Sequence, residues 1–279
     1  MGIMNAIKKG FSAAGSNLLL CLVSVLFIFI GFIVLGILLA FAIVSGNFPQ
    51  LNPGMTPQQI MALNWAQVNW VLFVPIFLVI LFLAGMIISF AQAGILAFIR
   101  GCIKEGSSKI SDFFKYGAKY LFKIFLQYIC MGAIGLFFAI LGIMLVGLIG
   151  LSNVIPLLTA AVIIFQILLI ILMVYMVLIL MYGQIAVVIK DSGAIKSLGE
   201  GLGVLNRNIG RSIALFIPFA AVFVIFSIAA QSMAGIILAL PVFIQVALNF
   251  VVSFLQIIIS VAMIAAFMEF YLALAGKET

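Results

Sequence analysis

Residues 109–145 read KISDFFKYGAKYLFKIFLQYICMGAIGLFFAILGIML. The first part is two-sided. Wound at about 100° per residue, Ile110, Phe113, Phe114, Gly117, Leu121 and Ile124 gather on one side, and Asp112, Lys115, Lys119 and Lys123 on the other. From Ile124 to Leu151 there is no charge. A bilayer core about 30 Å thick takes roughly 20 apolar helical residues. The second part is therefore long enough to cross a membrane, and the first is built to lie along its surface with cations toward the headgroups.

The same unit recurs on both sides of this stretch. Near the start, Ile3, Met4, Ile7, Phe11 and Ala14 oppose Asn5, Lys8, Lys9, Ser12 and Ser16; further on, Ile195, Leu198, Leu202, Leu205 and Ile209 oppose Lys196, Glu200, Gly203, Arg207 and Arg211. Gly10, Gly117 and Gly203 stand at comparable places. Each two-sided segment precedes a pair of apolar runs, giving six: Leu18 to Val44, Trp70 to Ile99, Ile124 to Leu151, Pro156 to Ile189, Ile213 to Leu240 and Val242 to Ala275. The expected fold is all-α, a polytopic membrane protein of six transmembrane helices. They form three pseudo-repeats of amphipathic helix plus helical hairpin, at approximately 1–99, 100–189 and 190–279, within a single membrane domain spanning 1–279.

Composition agrees with lipid as the solvent. Apolar residues make up 67% of the 279, charged residues 7%, and mean hydropathy is +1.48. Leu18 to Val44, at 27 residues, is far longer than the roughly 7–15-residue core of a cleavable signal, so it reads as a retained first span. All thirteen Lys and Arg fall before the first run, between the second and third, between the fourth and fifth, or after the sixth. The positive-inside rule then predicts an inner or cytoplasmic-type membrane with both termini cytoplasmic. The net charge of +7 is matched to anionic lipid headgroups on that side and not to nucleic acid, with Lys8, Lys9, Lys115, Lys119, Lys123, Arg207 and Arg211 as the candidate headgroup contacts.

Residue usage argues against most chemistry. Histidine is absent, and Cys21, Cys102 and Cys130 form no CxxC pair, so no metal, cofactor or catalytic residue is expected. Six carboxylates, Glu105, Asp112, Asp191, Glu200, Glu269 and Glu278, are too scattered for an acid-base pair. Glu269 lies past the point where about 20 residues from Val242 have crossed the core, at the interface, where a Lys or Arg of an amphipathic helix would pair with it. In the connection Ser45 to Asn69, Thr56-Pro57-Gln58-Gln59 reads as the capped start of a short helix, with Trp65 and Trp70 as interfacial anchors.

Lys104-Glu105-Gly106-Ser107-Ser108-Lys109-Ile110-Ser111-Asp112-Phe113-Phe114 and Gln184-Ile185-Ala186-Val187-Val188-Ile189-Lys190-Asp191, leading into Ala194-Ile195-Lys196-Ser197-Leu198, resemble the two cytoplasmic loops of a broad group of six-span prokaryotic membrane proteins. That group includes the membrane domain fused to some glycerophosphodiester phosphodiesterases. The resemblance implies a six-helix membrane fold and carries over no catalytic residue, because the phosphodiesterase chemistry belongs to a separate soluble domain.

In the last span Gln245, Asn249, Ser253, Gln256 and Ser260 recur at spacings of 4, 4, 3 and 4, a polar stripe along one side of the helix. It is expected to face the interior, hydrogen-bonded to Gln127, Gln166, Gln231 or Ser232, or to face a partner protein. The function these features predict is non-catalytic: an accessory or structural subunit of a membrane transport, secretion or envelope complex, with another membrane protein as partner. The alternative is a transporter or channel for a small neutral or amphiphilic solute or lipid.

Overall fold

In a computed structural model, residues 2–45, 69–105, 108–150, 155–238 and 241–275 are described. They form eight helices: α1 (Ile3–Ser16), α2 (Leu18–Ser45), α3 (Trp70–Glu105), α4 (Ile110–Gly150), α5 (Ile155–Lys190), α6 (Ala194–Arg207), α7 (Ile209–Leu238) and α8 (Val242–Ala275). α1 and α6 are the short amphipathic helices, and the other six are long and apolar enough to cross a membrane. The chain is a multi-span helical membrane protein. The capped segment at Thr56 to Gln59 and Trp65 lie outside the described residues.

The second repeat departs from the expected pattern, since its amphipathic segment and its first span are one helix of 41 residues. The cause is one residue. In the first and third repeats the break falls at Asn17 (φ −123°, ψ 37°) and Asn208 (φ −134°, ψ 27°), which adopt nearly the same backbone. There the Asn side chains donate back to Ala13 O (2.7 Å) and Val204 O (3.2 Å). Such local bonding gives the chain an alternative to helix propagation. The corresponding residue in α4 is Ile124, which is fully buried and has nothing to donate.

Two compact units are distinguished, one of Met1–Val25 with Ser89–Thr279 and one of Leu26–Ile88. In the smaller, Leu35 and Ile80 are buried with Leu39, Phe73, Ile76, Leu83, Ala84 and Ile87 packed around them. A Cβ on Gly31 would come within 2.9 Å of the Ile87 side chain, so the glycine lets these two helices approach closely.

In the larger unit each amphipathic segment rests on the second span of the repeat before it, and the first closes on the last. α1 packs on α8, the start of α4 on α3, and α6 on α5. Small residues form the seats. Ala6, Gly10 and Ala14 are the buried residues of α1, and Gly10 abuts Ala262 O and Ala266. Gly94 and Gly117 admit the rings of Phe113 and Phe90 between α3 and α4. In α6 the buried set is Ala194, Ser197, Gly201 and Leu205; a Cβ on Gly201 would stand 2.6 Å from Gly183 N and 2.8 Å from Ile179 O. The counterpart of Gly10 and Gly117 is thus Gly201. Gly203, expected in that role, has nothing within 4 Å of a Cβ position.

The two-sided reading of α1 and α6 also resolves into three sides. The small residues meet a span. About a quarter-turn away, Met4 and Phe11 in α1, and Ile195 and Leu202 in α6, are exposed apolar side chains that suit the acyl boundary. The remaining side is polar. Hydropathy alone could not separate the first two, because both are apolar and only the first needs residues small enough for backbone contact.

Candidate functional site

Ion pairs pin the amphipathic segments at the charged end of the spans. Lys9 Nζ lies 3.0 Å from Glu269 Oε2, joining α1 to α8 as the position of Glu269 predicts. The same helical position in α6 is Glu200, and it is paired the other way round, 3.1 Å from Lys190 Nζ at the end of α5. In the second repeat Lys119 and Lys123 each reach Asp191, both at 2.7 Å. Asp191 is held in the left-handed region (φ 53°), which Asp tolerates better than most residues. The two ammonium groups hold its carboxyl well below the ordinary range, at about 2. The Lys119 and Lys123 ammoniums also stand over the Tyr120 ring, and Lys115 over Tyr116.

The expected headgroup contacts therefore have a second duty, since Lys9, Lys119 and Lys123 hold carboxylates of their own chain. Their ammoniums stay partly exposed, so headgroups can still reach them. Lys8 shares the polar side of α1 with Asn5, Lys9 and Ser12, Arg211 is exposed on α7, and Arg207 lines a cleft described below.

Just inside this collar lies a buried polar node. Gln92 Nε2 donates to Gln184 Oε1 at 3.0 Å, tying α3 to α5. Gln127 Nε2 donates to Ser197 Oγ at 2.6 Å and to Ala194 O at 3.3 Å, tying α4 to α6. Tyr182 and Ser212 share a hydrogen bond of 2.8 Å, and Arg100 Nη1 donates to Val188 O at 2.7 Å. Gln127 and Gln184 are buried, and among the described residues Gln127 Oε1 and Gln184 Nε2 form no hydrogen bond. Of these residues only Gln127 was expected as an interhelical donor, and its acceptor was sought on α8. The available signal was an amide placed inside an apolar run beside small residues: Gln92 two before Gly94, and Gln184 directly after Gly183.

The stripe on α8 behaves differently from the node. Gln245, Ser253, Gln256 and Ser260 are half-buried and Asn249 is exposed. Ser260 Oγ donates to Gln256 O in its own helix at 2.9 Å, whereas the side chains of Asn249, Ser253 and Gln256 form no hydrogen bond among the described residues. The acceptors and donors expected for it are turned elsewhere. Gln127 serves α6, Gln166 and Gln231 are exposed, and Ser232 donates to Ile228 O in its own helix.

A third feature is a cleft of about 210 Å³ lined by Lys190, Glu200, Gly203, Val204, Arg207, Asn208, Tyr271 and Leu274. A smaller, polar one of about 80 Å³ lies among Arg100, Ser108, Asp112 and Tyr116, where Ser108 Oγ and Lys109 N both bond Asp112 Oδ2.

Comparison with curated proteins yields no match. Comparison with solved structures likewise yields none. A family model matches residues 1–274, almost the whole chain, and the protein accordingly belongs to the family described as domain of unknown function DUF7847.

Proposed function

We propose that the protein is a non-catalytic component of a membrane assembly, an accessory or structural subunit whose α8 stripe receives a span of another membrane protein. The observation that carries this is the contrast between two sets of polar side chains. Those at the charged end bond across helices, whereas Asn249, Ser253 and Gln256 form no side-chain hydrogen bond among the described residues. A polar group in lipid without a partner is costly, and an amide meeting another across a span interface contributes about 0.6–2 kcal/mol. A partner span with hydroxyls or amides at matching depth relieves that cost. The distribution of Lys and Arg supports an inner or cytoplasmic-type membrane with both termini cytoplasmic, the basic collar facing anionic headgroups there.

The test is purification of the tagged chain from its native membrane in nanodiscs, alongside the variant Asn249→Leu, Gln256→Leu, followed by mass spectrometry. A stoichiometric membrane protein that accompanies the native chain and is lost from the variant is expected. A chain recovered with no stoichiometric protein would reject this reading, and a small solute recovered with it would favour transport.

A further inference from the structure

We infer that the cleft at the end of the third amphipathic helix is a binding site for one anionic phospholipid headgroup of the phosphodiester class. The inference deepens the reading of the basic collar as headgroup-facing, by assigning one site within it.

Depth comes first. Ile195 and Leu202 on α6 are 70% and 37% exposed, and apolar side chains on a surface helix are stable when immersed in the acyl boundary. With that side in the acyl layer and Ala194, Ser197, Gly201 and Leu205 against α5, the third side, bearing Glu200, Gly203 and Arg207, lies at phosphate level. The cleft opens on that side, and three helices build it: α6, the last residue of α5 (Lys190), and Tyr271 and Leu274 of α8.

The lining then selects the ligand. Lys190 and Arg207 outweigh Glu200, leaving the cleft one positive charge in excess, which suits a single anionic phosphodiester. Tyr271 is buried with its hydroxyl beside Lys190, a further donor for phosphate oxygen. Glu200 Oε2 is held by the Lys190 ammonium at 3.1 Å, which offsets the carboxylate's charge toward an incoming phosphate. Gly203 is the residue that leaves the room, having nothing within 4 Å of a Cβ position. At about 210 Å³ the space falls below the roughly 300–1,000 Å³ of pockets that enclose whole drug-sized ligands, and it suits a headgroup whose acyl chains remain in the bilayer.

The site can be tested by native mass spectrometry of the delipidated full chain. The chain is titrated with palmitoyl-oleoyl phosphatidylglycerol, with the corresponding phosphatidylcholine, and with inorganic phosphate as competitor. The expected result is one phosphatidylglycerol bound in preference to phosphatidylcholine and not displaced by millimolar phosphate. Arg207→Gln should weaken that binding about tenfold, the effect of one lost charge-assisted contact, while Lys196→Gln, on the same helix but outside the cleft, leaves it unchanged. Gly203→Leu changes no charge and fills the cleft, so it should weaken binding as much as Arg207→Gln; it serves as the decisive variant if Arg207→Gln does not fold. Equal losses for Arg207→Gln and Lys196→Gln, or full binding by Gly203→Leu, would overturn the site and leave only a diffuse basic surface. Displacement by phosphate would assign the cleft to a free anion instead of a lipid. Absence of any lipid preference in the native chain would sink the collar reading as well.

Discussion

A single methyl group at Gly201 should destabilise the protein, while the same methyl group two residues earlier should not. A Cβ at Gly201 would lie 2.6 Å from Gly183 N, 2.8 Å from Ile179 O and 3.1 Å from Gly183 Cα. All three are backbone atoms of α5, so no side-chain rotation relieves the overlap, and α6 has to lift by roughly 0.7–1 Å to restore ordinary contact distances. Overpacking of this kind costs about 1–3 kcal/mol, offset by about 0.5–1 kcal/mol from replacing glycine with alanine in a helix. At middle values the net loss is about 1 kcal/mol. At Gly199 nothing lies within 4 Å of the Cβ position, so Gly199→Ala keeps only the helical gain. The two variants should separate by about 2 kcal/mol, or some 4–8 °C at about 2–4 °C per kcal/mol for a chain of this order of size. Thermal unfolding in one detergent, followed by a thiol-reactive dye that reports exposure of the buried Cys21, measures it. Equal shifts for both variants, or a Gly201→Ala protein as stable as the native one, would show that α6 is not seated on α5 through backbone contact.

Asp191 pairs with two lysines from a carboxyl held at about 2 against an ordinary 3.8, so its contribution is complete above about pH 4 and is lost as the pH falls toward 2. Because Asp191 is half exposed, solvent screens that contribution; a comparison of native and Asp191→Asn unfolding at pH 7 and pH 3 should show a gap that narrows with acid. Asp191→Ala should be less stable than Asp191→Asn by about 1 kcal/mol, since Ala adopts the left-handed backbone less readily; equal stabilities would place the cost in the charge alone. Gln184→Leu removes the acceptor of the half-buried Gln92 amide and should cost about 1–3 kcal/mol, and adding Gln92→Leu should recover part of it in a double-mutant cycle; additive losses would mean the two amides are not coupled.

The sequence revealed the spans and the amphipathic segments because both are periodicities, which survive without knowledge of any partner. It also placed Glu269 beside a surface cation, since counting residues across the bilayer core is enough to set its depth. Seats and partners were another matter. Gly10 and Gly201 meet their spans against backbone atoms, and a glycine leaves little hydropathy signal. Gly203 stands among the charged residues at a place comparable to Gly10 and Gly117, yet the seat is the glycine two residues before it. The break at Asn17 and Asn208 and its absence at Ile124 were legible in principle, because an Asn that bonds its own preceding turn is a chain-breaking signal. Which amide meets which, as in Gln92 with Gln184 or Gln127 with Ser197, depends on the rotation of each helix and has no counterpart in spacing.

Alignment of the three amphipathic segments on their seated glycines shows where the repeats are free to differ. Gly10, Gly117 and Gly201 coincide, and the polar positions then fall into register as Asn5, Asp112 and Lys196; Lys9, Tyr116 and Glu200; Ser12, Lys119 and Gly203; Ser16, Lys123 and Arg207. Each seat rests on a glycine because its neighbour, backbone at Gly10 and Gly201 and the Phe90 ring at Gly117, leaves little room for a side chain. On the polar side nothing comparable constrains the choice, and each repeat spends it differently. The first sets Lys9 against Glu269, the second clamps Asp191 between Lys119 and Lys123, and the third reverses the charge of its pair with Lys190 and leaves a glycine where the others carry serine or lysine. A side chain at that position in the third repeat would occupy the cleft between Lys190 and Arg207. The repeat that gave up a polar side chain there is thus the one that gained a space with charge on both sides of it, which makes the third amphipathic helix the place to look for a ligand.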